Sequence, residues 1–264
     1  MHVIVALLKE GRRVASFDLD ARQRTLTRYV ENRQDWAVEQ NFPLELPDHC
    51  AVERANSDSV AINAEAEAEW FTSSLAKVQR DFDFIVIDTP SGEDHLSLLA
   101  HGLADTLVTP INDSFIDLDV IVTFDLSGRG PPQPSLYSDA VTAATEGRHR
   151  VCDRPTDWVI IRNRLSPLAS RNQRQVADIL GLAETKIAFR SAPGLSERVV
   201  FREFFPVGLT AFDPLDELLL GVKPTVSHVM ARAEIRELVQ AIGLVPSQGP
   251  AEQAHRVETA VPGE

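Results

Sequence analysis

Cysteine is almost absent. Cys50 and Cys152 stand far apart with no ligand-type spacing, which excludes a disulfide framework and a zinc site and points to a reducing cytoplasm. Lysine is scarce too, with only Lys9, Lys77, Lys186 and Lys223, so the basic charge is nearly all arginine. No apolar run approaches the roughly 20 residues of a membrane span. The apolar start at residues 2–8 is too short for a signal peptide and runs on without a cleavage site. There is no overall basic excess: Lys and Arg total 26 against 39 Asp and Glu, and the net charge of −13 argues against a generally basic nucleic-acid binder. There is no internal repeat. What remains is an ordinary globular composition, 264 residues with 44% apolar and 25% charged, enough for one α/β domain or two small ones with a real core.

The opening "MHVIVALLKEGRRVASFDLD" predicts a helix stopped by Gly11, then a strand over Val14–Phe17 ending in acids. "ARQRTLTRYVENRQDW" predicts a helix with Leu26, Tyr29, Val30 and Trp36 on one face. Residues 41–62 look irregular. "AEAEAEWFTSSLAKVQRDF" predicts a second helix, with Phe71, Leu75 and Val78 inside and the Glu run as a solvated face. "FIVI" and "TLVTP" read as short strands buried on both faces. "DWVIIRNRL" and "KIAFR" are strand-like. "SHVMARAEIRELVQAIG" predicts a C-terminal helix with Val229, Met230, Ala233, Leu238 and Ile242 facing one way. The composition after Pro246 reads as a disordered tail, which leaves one domain over 1–245 and a tail over 246–264. Strands alternating with helices predict a doubly wound, mostly parallel sheet with helices on both faces.

In such sheets ligands bind at the strand carboxyl ends. Here those ends carry Asp18 and Asp20, Asp88, Pro110 to Asp113, and Asn163. Asp88 either holds Mg²⁺ opposite phosphates or caps the next turn. Asp18 and Asp20 are either site residues, one turned to the site and one away, or solvated strand-end acids. Asn163 either reads a base edge or forms a turn. Between Arg162 and Arg202, eight basic side chains face three acidic ones, a local balance of +5. Arg164, Arg171, Arg198 and Arg202 are the candidates for a DNA-phosphate patch, or else they neutralise acids in surface ion pairs.

Long blocks in order, "VASFDLDARQRTLTRYVENR", "DFIVIDTPSG", "AHGLADTLVTPINDSFIDLD", "PSLYS", "DWVIIRNRL", "PGLSERVVFREFFP" and "GLT", carry a resemblance. The chain resembles the deviant-Walker P-loop ATPases of the ParA/MinD type, and within them the MipZ-like ATPases that position the division plane. The resemblance covers roughly Val3 to Gly243. It implies ATP and Mg²⁺ as cofactors. It implies Asp20 as the acid orienting the attacking water, Asp18 on the Mg²⁺ side and Asp88 as the Walker B acid. It implies Asn163 at the adenine, with Pro193 and Gly194 lining base and ribose. It further implies an ATP-sandwiched homodimer, non-specific DNA binding, a ParB-like partner, inhibition of FtsZ polymerisation, and a cytoplasmic, nucleoid-associated location. A MinD-like membrane role is not expected, because the tail lacks a basic amphipathic helix. The alternatives are a chromosome or plasmid partitioning ATPase, and a nucleotide-free regulator that keeps only the interaction surfaces.

The chain departs from the pattern at one place. The phosphate loop KGGxGK[ST] of the family is not present; "LLKEGRR" is the nearest stretch. The expectation is that the match begins inside the helix after that loop. Met1 is then internal, and the native protein starts roughly twenty residues earlier with a central strand and the loop. Without that strand, neighbouring backbone groups lose partners at about 1–3 kcal/mol each, and ATP binding by the chain as written is badly impaired.

Overall fold

The computed structural model describes residues 1–92, 94–124, 130–152, 154–166, 170–214 and 223–244. The expected tail over 246–264 lies outside them. Helix α1 (His2–Lys9) is followed by a turn with Gly11 at φ +74°, a conformation that favours glycine. Strand β1 (Val14–Asp18) comes next, every residue buried. Helix α2 (Thr25–Glu39) starts later than the sequence predicts, because Asp20 Oδ1 accepts the Arg22 and Gln23 amides at 3.0 Å and holds 21–24 in a turn. The "irregular" stretch contains a strand, β2 (Asp48–Ala51), whose four residues show no strand pattern.

Helix α3 (Val60–Val78), β3 (Phe84–Asp88), α4 (His95–Leu103), β4 (Thr106–Asn112), α5 (Phe115–Ile121), the short strands β5 (Val122–Thr123) and β6 (Gln133–Pro134), and α6 (Leu136–Cys152) follow. The chain continues through β7 (Asp157–Asn163), α7 (Arg171–Ala183), β8 (Arg190–Ala192), α8 (Val200–Phe204), a 3₁₀ turn at Phe205–Val207, and α9 (Val226–Ala241). The strand expected at 186–190 begins instead at Arg190. Residues 187–188 bend, and the Val159–Arg190 partnership with β7 starts the strand.

The fold is α/β with parallel strands, divided into two three-stranded parallel sheets and one small antiparallel pair. The first sheet has the order β2-β1-β3, the second β4-β7-β8. The inner strands β1 and β7 are the buried ones. β3 and β4, expected to be buried on both faces, are largely half-buried because each forms an edge of its sheet.

Helices cover both faces of each sheet. Phe17 and Leu19 pack with Phe71 of α3 and Leu96 and Ala100 of α4, while Val14 packs with Ile4 and Leu7 of α1 and Leu26 of α2. Trp158 and Ile160 pack against α5, α6 and α7, and Val159 and Ile161 against Leu238 of α9 and Ile242 just beyond it. This strict alternation decides which strand residues face α1 and α2, and Ser16 and Asp18 are among them. On α9 the buried face is Ala231, Ile235, Leu238 and Val239. Val229 and Met230, expected inside, are 58% and 44% exposed, because the helix is rotated to set Ile235 and Leu238 inward.

Candidate nucleotide site at the ends of β1 and β3

β1 and β3 run parallel with Asp18 opposite Asp88, so both carboxylates leave the sheet on one side at the same level. Asp18 is 1% exposed and richly hydrogen-bonded: Oδ1 accepts from the Asp20 amide at 3.0 Å, Oδ2 from the Thr27 amide at 2.9 Å and its hydroxyl at 2.8 Å. Asp18 therefore caps the first turn of α2, where a negative charge also complements the helix dipole. Asp20 lies just past the strand end. Its Oδ1 takes two turn amides, and Oδ2 has no protein donor among the described residues. The strand stops at Asp18, and the Asp20 amide turns back to it, so the two acids stay together.

Asp88 is exposed as a residue at the strand end, and its carboxylate has no side-chain partner among the described residues. Its pKa nevertheless lies above the usual carboxylate range. Desolvation by the surrounding protein is the main cause, and the charge of Asp18 adds to it; the Met1 amino group pulls the other way and Asp20 raises it further. The Met1 amine is itself buried beside these acids, which pushes its pKa down to about 6 while Asp88 pulls it up. The start of α1 thus points at the acid cluster.

The expected base-binding residues sit together at the end of β7 in the other sheet. Asn163 Oδ1 accepts from the Arg164 amide at 2.9 Å, and Arg164 adopts φ +53°. Leu195 donates to Arg162 O at 2.8 Å, and a Cβ on Gly194 would stand 2.8 Å from that oxygen and 2.5 Å from Leu165 Cδ1. Only glycine lets the Pro193–Gly194 segment come this close. Arg162 reaches Asp113 at 3.2 Å and Gln173 O at 3.0 Å.

The candidate arginines divide. Arg198 pairs with Glu234 at 2.6 Å and Arg202 with Glu197 at 2.5 Å, whereas Arg164 and Arg171 are exposed and have no ion pair among the described residues. The Glu run of α3 is not all solvated. Glu67 is 4% exposed and accepts from Arg54 at 2.8 Å and the Ala55 amide at 2.9 Å. Sequence reasoning also missed Thr27 and His49, which complete the surroundings of Asp18. His49 lies on the short strand that carries no pattern, and Thr27 reads as an ordinary helix residue.

Parallel sheets covered on both faces, with acids gathered at the strand ends, form an α/β architecture that matches the fold of ParA/MinD-type ATPases. The family described as ATPase MipZ matches residues 1–246, and the chain belongs to it. The septum site-determining protein MinD from Pyrococcus horikoshii OT3, complexed with Mg-ADP, is similar in structure with a TM-score of 0.52 at 13% identity, over 92% of this chain and 88% of that one. The cell division ATPase MinD of Pyrococcus furiosus has a TM-score of 0.51 at 14% identity, over 91% and 90%. A putative plasmid partition protein from Borrelia burgdorferi B31, bound to AMPPNP, has a TM-score of 0.50 at 14% identity, over 90% of each chain. No curated protein matches the chain.

Proposed function

We propose that this chain, together with a KGGxGK[ST] phosphate loop, serves as an ATP-dependent dimerisation switch that positions the division site, and that the chain as written, without that loop, is inactive. Two copies sandwich ATP, and the dimer binds DNA without sequence preference. It engages a ParB-like protein and restrains FtsZ polymerisation until hydrolysis separates it. Its location is then cytoplasmic and nucleoid-associated. The observation that carries the reading is the Asp88 carboxylate, without a side-chain partner among the described residues, near Asp18 and Asp20 in a chain of an ATPase family.

The acids fit Mg²⁺. Among the described residues no three His, Cys, Asp or Glu side chains could hold a metal together. Mg²⁺ needs no such cluster, since it takes one or two carboxylates and fills its shell with water and phosphate oxygens. Asp88 is the acid with lone pairs to spare, while Asp18, engaged by three protein donors, orders the turn beside it. Asp20 Oδ2 is placed to orient a water. Mg²⁺, when bound, would neutralise charge developing on phosphate oxygens. Asn163 with the Pro193–Gly194 segment would hold the base and ribose, and Arg164 and Arg171 would meet DNA phosphates. The KGGxGK[ST] run is not in this chain, so no phosphate contact is assigned to it.

The test, on the chain joined to a KGGxGK[ST] phosphate loop, is binding of a fluorescent ATP analogue with and without Mg²⁺. Asp88→Asn should lower the Mg²⁺-dependent affinity about 10–100-fold; equal affinities in the two proteins would overturn the assignment. The likeness to a plasmid partition protein supports a second reading, a partitioning ATPase. FtsZ polymer light scattering separates the two. A fall in scattering with ATP supports division-site positioning, and no change supports partitioning.

A further inference from the structure

Asp18 is the last link of a hydrogen-bond chain that crosses three elements. Thr27 Oγ1, in the first turn of α2, lies 2.8 Å from Asp18 Oδ2 and 3.0 Å from His49 Nε2 on β2. His49 Nδ1 lies 2.8 Å from Ser16 Oγ on β1. Ser16 is fully buried, and Asp18 and Thr27 nearly so.

The direction of every link follows by elimination. An ionised carboxylate only accepts, so the single hydroxyl proton of Thr27 goes to Asp18. Thr27 Oγ1 must then accept from His49 Nε2–H. Burial favours the neutral ring, so Nδ1 carries a lone pair and accepts from the Ser16 hydroxyl. The chain runs one way, Ser16 to His49 to Thr27 to Asp18, and the Asp20 amide meets Asp18 on its other oxygen at 3.0 Å. The parallel register places His49 directly beside Ser16, so the ring needs no unusual reach.

We propose that His49 is a positioning residue: through Thr27 it fixes the orientation of Asp18, and through Asp18 the acidic turn that presents Asp20. This rests on the proposed nucleotide chemistry of that turn. Partners one step removed from a site carboxylate commonly change activity 10–100-fold because they fix its orientation.

The wild-type chain gives the first test. Long-range ¹H–¹⁵N correlation of the histidine side chains at neutral pH, with His49 assigned by its loss in His49→Gln, should show a neutral ring protonated on Nε2. A ring protonated on Nδ1, or an imidazolium, overturns the chain of bonds.

The second test is kinetic and uses the chain joined to a KGGxGK[ST] phosphate loop as the wild type. His49→Leu and Thr27→Val should lower kcat for ATP hydrolysis about 10–100-fold with little change in KM. His49→Gln, whose amide NH₂ can still donate to Thr27, should recover most of the loss. Equal rates in all three variants, or no difference between Leu and Gln, would refute the positioning role. If the wild type hydrolyses no ATP, the nucleotide reading of the site fails, while the tautomer still decides the bonding on its own.

Discussion

Arg33 and Asp213 form a buried ion pair joined by two hydrogen bonds. Arg33, on α2, is fully buried, and its Nη1 and Nη2 meet both Asp213 oxygens at 2.7 Å. The same guanidinium donates to Gly208 O at 3.0 Å and Glu45 O at 2.8 Å, and Asp213 also accepts from the Thr210 amide and hydroxyl. Gly208 at φ +64° belongs to this joint, since a Cβ there would fall 2.1 Å from the Arg33 backbone. Removing one member of such a pair leaves a buried charge alone. Asp213→Asn should therefore cost about 3–5 kcal/mol in urea unfolding. Burial pushes the Asp213 carboxyl up, but hydrogen bonds from Arg33, its charge, and the Thr210 contacts outweigh burial and hold the pKa below the usual range. A depressed folded pKa means the stabilisation is complete above the unfolded value of about 3.9 and is lost as pH falls through the lower folded value. The acid-induced loss of stability below about pH 4 should be shallower in Asp213→Asn than in wild type; parallel curves would remove Asp213 as a source of it.

At the scale of elements, α9 shows what periodicity conveys and what it leaves open. Its apolar residues make a helix legible, yet two stripes compete, and only packing against Val159, Ile161 and the 200–211 segment selects the one with Ile235 and Leu238. Ile235→Ala should cost about 2–5 kcal/mol. Met230→Lys, on the other stripe, should stay within about 0.5 kcal/mol. Urea midpoints for the two variants check this, and similar losses would mean Met230 is covered in solution. β2 carries the opposite lesson. "DHCA" has no alternation, and it is a strand because Ala15 to Asp18 pair with it. β3 and β4 were legible as strands from their β-branched runs, but their exposure depends on which neighbours they have, which no local pattern encodes.

The whole molecule is acidic, but the segment from Arg162 in β7 to Arg202 in α8 carries a basic excess. The fold spends part of that excess internally: Arg190 pairs with Asp157 at 2.7 Å and Arg198 with Glu234. Arg164 and Arg171 make no ion pair among the described residues. DNA affinity measured against salt should lose a slope of about one for each of Arg164→Ala and Arg171→Ala. Arg198→Ala should leave the slope unchanged and act on stability through Glu234. A slope change confined to Arg198 would move the DNA surface onto α8 and α9.

The sequence by itself determined many of the elements, among them β1, β3, β4, β7, α1, α2, α3 and α9, the acids Asp18, Asp20 and Asp88 at strand ends, and the family, because periodicity and unbroken blocks are local properties of the chain. Tertiary structure decided the rest. It made two three-stranded sheets, gave Asp18 a helix-capping role, joined His49 to it through Thr27, and closed Arg33 on a partner 180 residues away. These outcomes depend on which strands become neighbours and which donors come within about 3 Å of an acceptor, and both are set by the packing of distant segments rather than by adjacent residues.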